Sequence, residues 1–205
     1  MRMIVELASS GTPDPVRIVG LLQHPLVAPG CPRREHLTHA RAYERRVLRE
    51  TFRPSPDGVL PAWQDATEVQ ADWLGRVDEA LRALGEALPH AALTTLMTLH
   101  RRAAETLTDA GDGPTLYREG PGEALATFLD KLIETSPAYG DAIVPDYPAL
   151  LLSLMRGEQL RPLPRQSHPR VSFIGPREAR LSNADVVILA GLNDGVWPEI
   201  PDPGP

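Results

Sequence analysis

Apolar side chains recur three and four positions apart over the first 160 residues, which is the spacing of a buried helix face. This period predicts helices joined by short connections rich in proline and glycine. The predicted helices cover residues 14–24, 33–49, 67–88, 91–110, 121–135 and 147–156. The pattern therefore favours a mainly α fold, with a helical subdomain over residues 1–160 as the first of two domains.

Local signals mark the ends of several predicted helices. Asp14 followed by Pro15 is typical of an N-cap and a first helical turn. Residues 51–65 contain three prolines and one glycine and predict a loop. The predicted core face of the following helix consists of Val69, Trp73, Val77, Leu81, Leu84 and Leu88.

The predicted helix over residues 33–49 carries an apolar face and a strongly basic remainder. Its predicted core face consists of Leu37, Ala40, Tyr43, Val47 and Leu48. Arg45, Arg46 and Arg49 lie close together near the C-terminal end, where positive charge complements the helix dipole. This basic region is either a solvated face balanced by nearby glutamates or a contact surface for DNA or a protein partner.

The pattern changes from helical to strand periodicity after the proline-rich connector at residues 160–169. The continuously apolar, β-branched run Val186–Ala190 is typical of a strand buried on both faces of a parallel sheet, and a shorter run covers Val171–Ile174. Two strands cannot form a stable sheet alone. We therefore expect residues 161–205 to be a partial, incomplete α/β segment and the chain to be part of a longer polypeptide.

A tight turn follows the second apolar run, at Gly191-Leu192-Asn193-Asp194-Gly195. Ligands of open α/β sheets bind beyond the carboxyl ends of the strands, so this loop is a candidate ligand site. Asn193 and Asp194 either shape the turn or line a groove for a nucleotide or DNA.

Composition narrows the classes of function. The formal net charge of −6 excludes a uniformly basic nucleic-acid binder, and the single cysteine, Cys31, excludes an intrachain disulfide. No run of eighteen apolar residues occurs, and the N-terminus is too weakly apolar for a secretory signal. We expect a cytoplasmic protein without membrane contact.

The distribution of lysine and histidine excludes several kinds of catalytic site. Lys131 is the only lysine and follows Asp130 inside an amphipathic helix, so the chain has no ATP-binding P-loop and no acidic nuclease signature with its lysine. His36 and His39 lie three apart but lack further ligands, so no metal site is predicted. His100 is predicted to be a core histidine with satisfied hydrogen bonds. No catalytic residue is identified.

The C-terminal sequence GP-x-EARL…AD-VVILAGLNDGVWP…PDPGP resembles the AddB subunits of bacterial AddAB helicase–nucleases, the alphaproteobacterial type in particular. Its GLNDGVWP core is also similar to RecC, and both families are built on superfamily 1 helicase domains. A second resemblance lies at residues 15–53, where a LL-x-HPL segment precedes a helix that ends in E-R-x-x-LR. Residues 55–165 match only as generic helices.

The resemblance implies that residues 1–160 are a helical subdomain inserted in a helicase-like domain and that residues 161–205 are part of its RecA-like α/β fold. It also implies a role in double-strand break repair by recombination. It implies an AddA-type helicase–nuclease subunit and DNA as partners, with ATP and Mg²⁺ as cofactors of the parent complex and none in this segment. The corresponding motif of working motors contains Thr, His and Lys, whereas Ile174–Leu181 keeps only Glu178. We therefore expect this part of the chain to hold or scan DNA, with no ATPase or nuclease activity of its own.

Candidate DNA-binding residues combine this resemblance with side-chain chemistry, since arginine binds phosphate with two hydrogen bonds and tryptophan stacks on unpaired bases. These residues are Arg177, Arg180, Trp197, Arg45 and Arg49, and the motif loop is Glu178, Gly191, Asn193, Asp194 and Gly195. Arg180 could instead pair with Glu178 or Asp185, and Trp197 could pack under its loop.

The alternative function is a non-enzymatic helical module for protein–protein interaction, whose similarity to AddB is architectural only. A reading frame that continues beyond Pro205 into a nuclease signature would favour the AddB interpretation. A genuine stop after Pro205 would favour the interaction module.

Overall fold

The computed structural model describes residues 1–10, 14–50, 52, 59–140, 142–144, 146–157, 170–172, 174–179 and 183–190. The chain divides into two compact units, Met1–Leu163 and Pro164–Pro205. The first unit is mainly helical, and none of the residues just named lies in a β-strand. None of the helices within these ranges combines the length and the apolar character needed to cross a bilayer.

Seven α-helices form the described part of the first unit. They are α1 (Arg2–Ala8), α2 (Pro15–Gln23), α3 (Arg33–Tyr43), α4 (Glu68–Ala87), α5 (Leu93–Thr108), α6 (Glu119–Thr135) and α7 (Tyr147–Gly157). A π-helix, Glu44–Arg49, continues α3 directly and is called the π segment below. Two short 3₁₀ turns, Thr115–Tyr117 and Ser136–Tyr139, precede and follow α6.

The six predicted helices are confirmed, with ends that differ by a few residues. Asp14 caps α2, because its carboxylate accepts the Val16 amide at 2.9 Å. Thr67 and Gln70 form a reciprocal capping box at the start of α4. Helix α1 was not predicted, because seven residues are too few to show a helical period.

The core of the first unit lies between α4 and α5, and α1 packs across both helices. Leu81 and Leu84 of α4 and Leu96 and Leu107 of α5 are completely buried. Gly85 allows the close approach of α1, because a Cβ atom there would lie 2.6 Å from the Ala8 carbonyl oxygen. Any side chain at position 85 would push the two backbones apart.

Three predicted core positions are wrong. Val16, which the helical period places on the buried face of the first predicted helix, is 77% exposed in the first turn of α2. Val69 is 59% exposed, because it lies in the first turn of α4 and the core contacts of that helix begin one turn later, at Trp73. Leu37 is only half-buried, whereas its neighbour His36 is completely buried. His36, Ala40 and Tyr43 lie four and three residues apart, so they share the inner face of α3 and leave Leu37 at its edge.

The second unit contains one short helix among its described residues, α8 (Pro176–Ala179). The apolar side chains of Val186–Leu189 are 70–86% exposed, and this run is not paired as a strand. A buried strand at this place therefore requires further strands to cover it. The predicted RecA-like sheet stays a prediction.

Candidate nucleic-acid interface

The π segment carries Arg45 and Arg49 and continues α3. Helix α3 is fixed to α2 through its first residue, Arg33. The Arg33 guanidinium donates hydrogen bonds to the backbone carbonyls of Val27 and Gln23, the latter at 2.9 Å. These carbonyls lie at and just beyond the end of α2, where helical partners are missing. Arg33 is therefore a structural residue that joins α2 to α3.

His36 locks the inner face of α3 against both neighbouring helices. Its Nε2 lies 2.7 Å from the Leu22 carbonyl oxygen, and the Trp73 indole N–H donates to its Nδ1 at 3.1 Å. A carbonyl oxygen only accepts and an indole N–H only donates, so His36 is neutral with its proton on Nε2. Burial, the main cause, lowers the pKa of His36.

Both ring nitrogens of His36 are thus occupied, which removes it as a metal ligand. In the portion of the chain that the structure describes, no group of three or more histidine, cysteine or acidic side chains could hold a metal ion.

Tyr43 fixes the end of α3 through both its ring and its hydroxyl group. The hydroxyl donates to the Pro61 carbonyl at 2.7 Å, and the ring lies 5.7 Å from that of Trp63 and 6.2 Å from that of Trp73. Burial raises the pKa of the Tyr43 hydroxyl, so it remains a proton donor at neutral pH. The inner face therefore holds the helix in one orientation and determines which side chains point outward.

The π segment changes the register of the helix where the arginines lie. Hydrogen bonds from residue i to i+5 widen this turn. Val47 and Leu48 of the segment are buried, at 4% and 6% exposure. Arg45 and Arg49 are exposed on the same segment. π turns occur frequently at functional sites.

Four of the exposed arginines of α3 and the π segment fall into two groups. Arg34, Arg41 and Arg45 make no side-chain hydrogen bond or ion pair within the part of the chain that the structure covers. Arg49 is also exposed, at 73% of its side chain, but its guanidinium binds the Glu44 carboxylate with Nε and Nη2. Arg45 and Arg49 therefore differ in the charge that they offer to a ligand.

Glu44 is the centre of a small clamp between two elements. Its side chain is only 17% exposed. One oxygen accepts the Gln23 amide of α2 at 3.1 Å, and the other accepts Nε of Arg49 at 3.0 Å. Gln23 lies 21 residues away in sequence, so no local pattern predicted this contact.

The remaining candidate residues belong to the second unit. Glu178 is exposed on α8, and Arg177 belongs to the same helix, although its side chain is not among the described ones. Asp185, the alternative partner of Arg180, is exposed. The candidates at Arg180, Gly191, Asn193, Asp194, Gly195 and Trp197 lie outside the described residues.

His100 is the second buried histidine, and its prediction as a satisfied core residue is confirmed. Its Nε2 lies 2.9 Å from the Met1 carbonyl oxygen and its Nδ1 lies 3.1 Å from the Tyr147 hydroxyl. Burial first, and then the positive α-amino group of Met1, lower the pKa of His100 to about 4. His100 is therefore neutral at pH 7 and belongs to the core.

Comparison with protein-family models, curated proteins and solved structures finds no match to this chain. The geometry of α3 and the π segment is consequently the main structural basis for a functional proposal.

Proposed function

We propose that this chain takes part in the processing of broken DNA ends for recombinational repair, as part of an AddB-type subunit. The helical unit contacts DNA through the phosphate backbone in this proposal. The single observation that carries it is the position of Arg45, which is exposed on a rigidly held helix and has no acidic partner among the described residues. The AddB-like motifs at residues 15–53 and 168–205 support the same function.

Arg45 suits phosphate binding for two physical reasons. A guanidinium group always carries charge and presents donors in a fork that matches two phosphate oxygens. The inner face of α3, held by His36 and Tyr43, keeps the backbone below Arg45 in place. Within this helix, only the Arg45 side chain has to become ordered on binding, which lowers the entropic penalty.

The second unit has a separate role in this proposal. Residues 161–205 contribute strands to a RecA-like α/β domain, and the exposed run Val186–Leu189 supports this because it needs a cover of neighbouring strands. ATP hydrolysis and Mg²⁺-dependent cleavage belong to the parent complex with its AddA-type subunit, in the cytoplasm. This chain holds DNA for that complex.

The experiment is a titration of a fluorescein-labelled duplex oligonucleotide with the full chain, followed by anisotropy at several salt concentrations. Loss of one phosphate contact changes the salt slope by about 0.9, which corresponds to roughly eight-fold weaker binding near 0.1 M salt. We expect this change for Arg45→Ala. Arg82→Ala, which removes an exposed arginine from α4, is the matched control and should bind like the wild type.

Equal affinities of the Arg45→Ala and wild-type proteins would overturn the proposed contact. The same assay tests Arg177→Ala, Arg180→Ala and Trp197→Ala, for which we expect weaker binding. ATP turnover by the purified chain alone would contradict the proposed division of labour with an AddA-type subunit.

A helical protein–protein interaction module is the second candidate function. The exposure of Val186–Leu189 favours it, since a contiguous apolar surface commonly marks a protein interface. DNA affinity that is insensitive to every arginine substitution named above would favour this candidate.

A further inference from the structure

We propose that the phosphate-binding surface of the helical unit is a straight stripe of three arginines, Arg34, Arg41 and Arg45, and that Glu44 withholds Arg49 from it. This inference rests on the proposed DNA contact of Arg45. It adds Arg34 and Arg41 to the surface and removes Arg49, which the sequence predicts to bind DNA.

The three arginines share one face of the helix because of their spacing. Arg41 follows Arg34 by seven residues, or two turns, and Arg45 follows Arg41 by four residues, or one turn, so all three lie on one side of the helix. A rise of about 1.5 Å per residue separates their backbones by roughly 10 Å and 6 Å along the axis. Thr38, between them, is also exposed on this side.

Charge along the stripe is uninterrupted between Arg34 and Arg45. Glu35, the nearest acidic residue of α3, lies on the next face and is 3.5 Å from His39. All donors of the three guanidinium groups remain available, since none of the three has a partner in the described ranges. A linear polyanion can bind such a row without base contacts, so the ligand is a nucleic-acid backbone recognised without sequence preference.

Arg49 is different because of the π turn. In an α-helix, residue i+5 is rotated by about 140° from residue i, and their side chains do not meet. The π segment brings position i+5 above position i, which places the Arg49 guanidinium on the Glu44 carboxylate. The Gln23 amide anchors that carboxylate from α2, so Glu44 cannot turn away freely.

The positive charge of Arg49 is therefore already neutralised by Glu44 when a phosphate approaches. Two guanidinium donors already bind one Glu44 oxygen, and the mostly buried carboxylate repels a second anion nearby. Arg49 thus contributes little to counterion release, although its side chain is the exposed member of the pair.

The test is the salt dependence of duplex binding, measured with the full chain. Arg34→Ala and Arg41→Ala should each reduce the magnitude of the slope by about 0.9 and weaken binding roughly eight-fold near 0.1 M salt. Arg49→Ala should leave slope and affinity close to wild type. With a single-stranded oligonucleotide of equal length the change per arginine falls to about 0.7.

Glu44→Gln tests the clamp directly, because the amide keeps the shape of the side chain and removes its charge. We expect the magnitude of the salt slope to increase by about 0.9, because Arg49 becomes a phosphate ligand. Glu50→Gln, which removes an exposed carboxylate next to the same segment, is the matched control and should leave the slope unchanged. The double variant Glu44→Gln/Arg49→Ala should return to the wild-type slope.

Three results would overturn the inference. They are equal losses for Arg49→Ala and Arg41→Ala, equal slopes for Glu44→Gln and Glu50→Gln, and competition by poly-glutamate as strong as competition by unlabelled DNA. Far-UV circular dichroism confirms that each variant retains its helices. If Arg45→Ala weakens DNA binding as expected while one of these results is also found, the proposed function stands. Only the arginine stripe or the Glu44–Arg49 clamp is then wrong.

Discussion

His36 and His100 lie at two separate centres of the helical unit, and each is completely buried. Both direct Nε2 at a backbone carbonyl, of Leu22 for His36 and of Met1 for His100. Both direct Nδ1 at an aromatic side chain, 3.1 Å from the Trp73 indole nitrogen in one centre and 3.1 Å from the Tyr147 hydroxyl in the other. The centres differ in the chemistry of that aromatic group.

That difference decides how each centre responds to loss or gain of a proton. An indole N–H can only donate, whereas a phenolic hydroxyl can donate or accept. The Tyr147 hydroxyl also lies 3.2 Å from the Met97 sulfur, which gives it a second acceptor. The His36 centre is therefore fixed in one hydrogen-bonding pattern, and the His100 centre can rearrange.

Replacement of each histidine by leucine should separate the two centres most strongly. His36→Leu leaves the Leu22 carbonyl and the Trp73 N–H buried without partners, which should reduce the free energy of unfolding by about 3 kcal/mol. His100→Leu should have a smaller effect, because the Met1 carbonyl still accepts the Ile4 amide and Tyr147 still reaches Met97. Urea unfolding followed by circular dichroism measures both, and equal losses would contradict the comparison.

Acid should destabilise the protein through both histidines. Their folded-state pKa values are lowered, so the unfolded chain binds more protons below its histidine pKa of 6.5. The stabilising contribution of each neutral histidine is complete above pH 6.5. It is lost as the pH falls toward the folded-state pKa, which is about 4 for His100. Between pH 7 and pH 5 we expect His100 to account for about 2 kcal/mol of that loss.

The measurement is a series of urea unfolding curves from pH 7 to pH 5 for the wild type and for His100→Leu. Carboxylates titrate in both proteins. The difference between the two proteins in how the free energy of unfolding changes with pH therefore gives the contribution of His100 alone. A variant that loses as much stability as the wild type over this range would show that His100 does not carry the effect.

Removal of the Tyr147 hydroxyl should have the smallest effect of the three changes. Tyr147→Phe takes away the group that faces Nδ1 of His100 and should lower the free energy of unfolding by about 1 kcal/mol at pH 7. Tyr139→Phe, at a half-exposed ring, is the matched control and should have no effect. Equal free energies of unfolding for Tyr147→Phe and Tyr139→Phe would mean that the Tyr147 hydroxyl does not stabilise the His100 centre.

Most of the helical fold could be predicted, because amphipathic periods of nine or more residues fix the phase of a helix. Helix α1 could not, since its docking depends on Gly85, a residue that only weakens α4 when considered locally. His36 is absent from the predicted core face of α3, because the pattern of strongly apolar residues passes through its neighbour Leu37. Its burial requires Trp73, 37 residues away, to supply a hydrogen bond.

The candidate interface was predictable in part. The positions of Arg45 and Arg49 on the outer face follow from helix phase, and their exposure is confirmed. The pairing of Arg49 with Glu44 was not predictable, because a five-residue separation brings side chains together only in a π turn. Gln23 reaches the pair from a different helix, which sequence spacing cannot indicate.

The π segment also bears on how this helix tolerates change in length. A turn that closes from residue i to i+5 holds one residue more than an α-turn, so it accommodates a single-residue insertion without moving the elements on either side. Tyr43, directly before the segment, keeps its contact with Trp73, and Val47 and Leu48 within the segment are both buried. Deletion of one residue between Glu44 and Arg49 would therefore restore an α-turn and turn the Arg49 side chain away from Glu44.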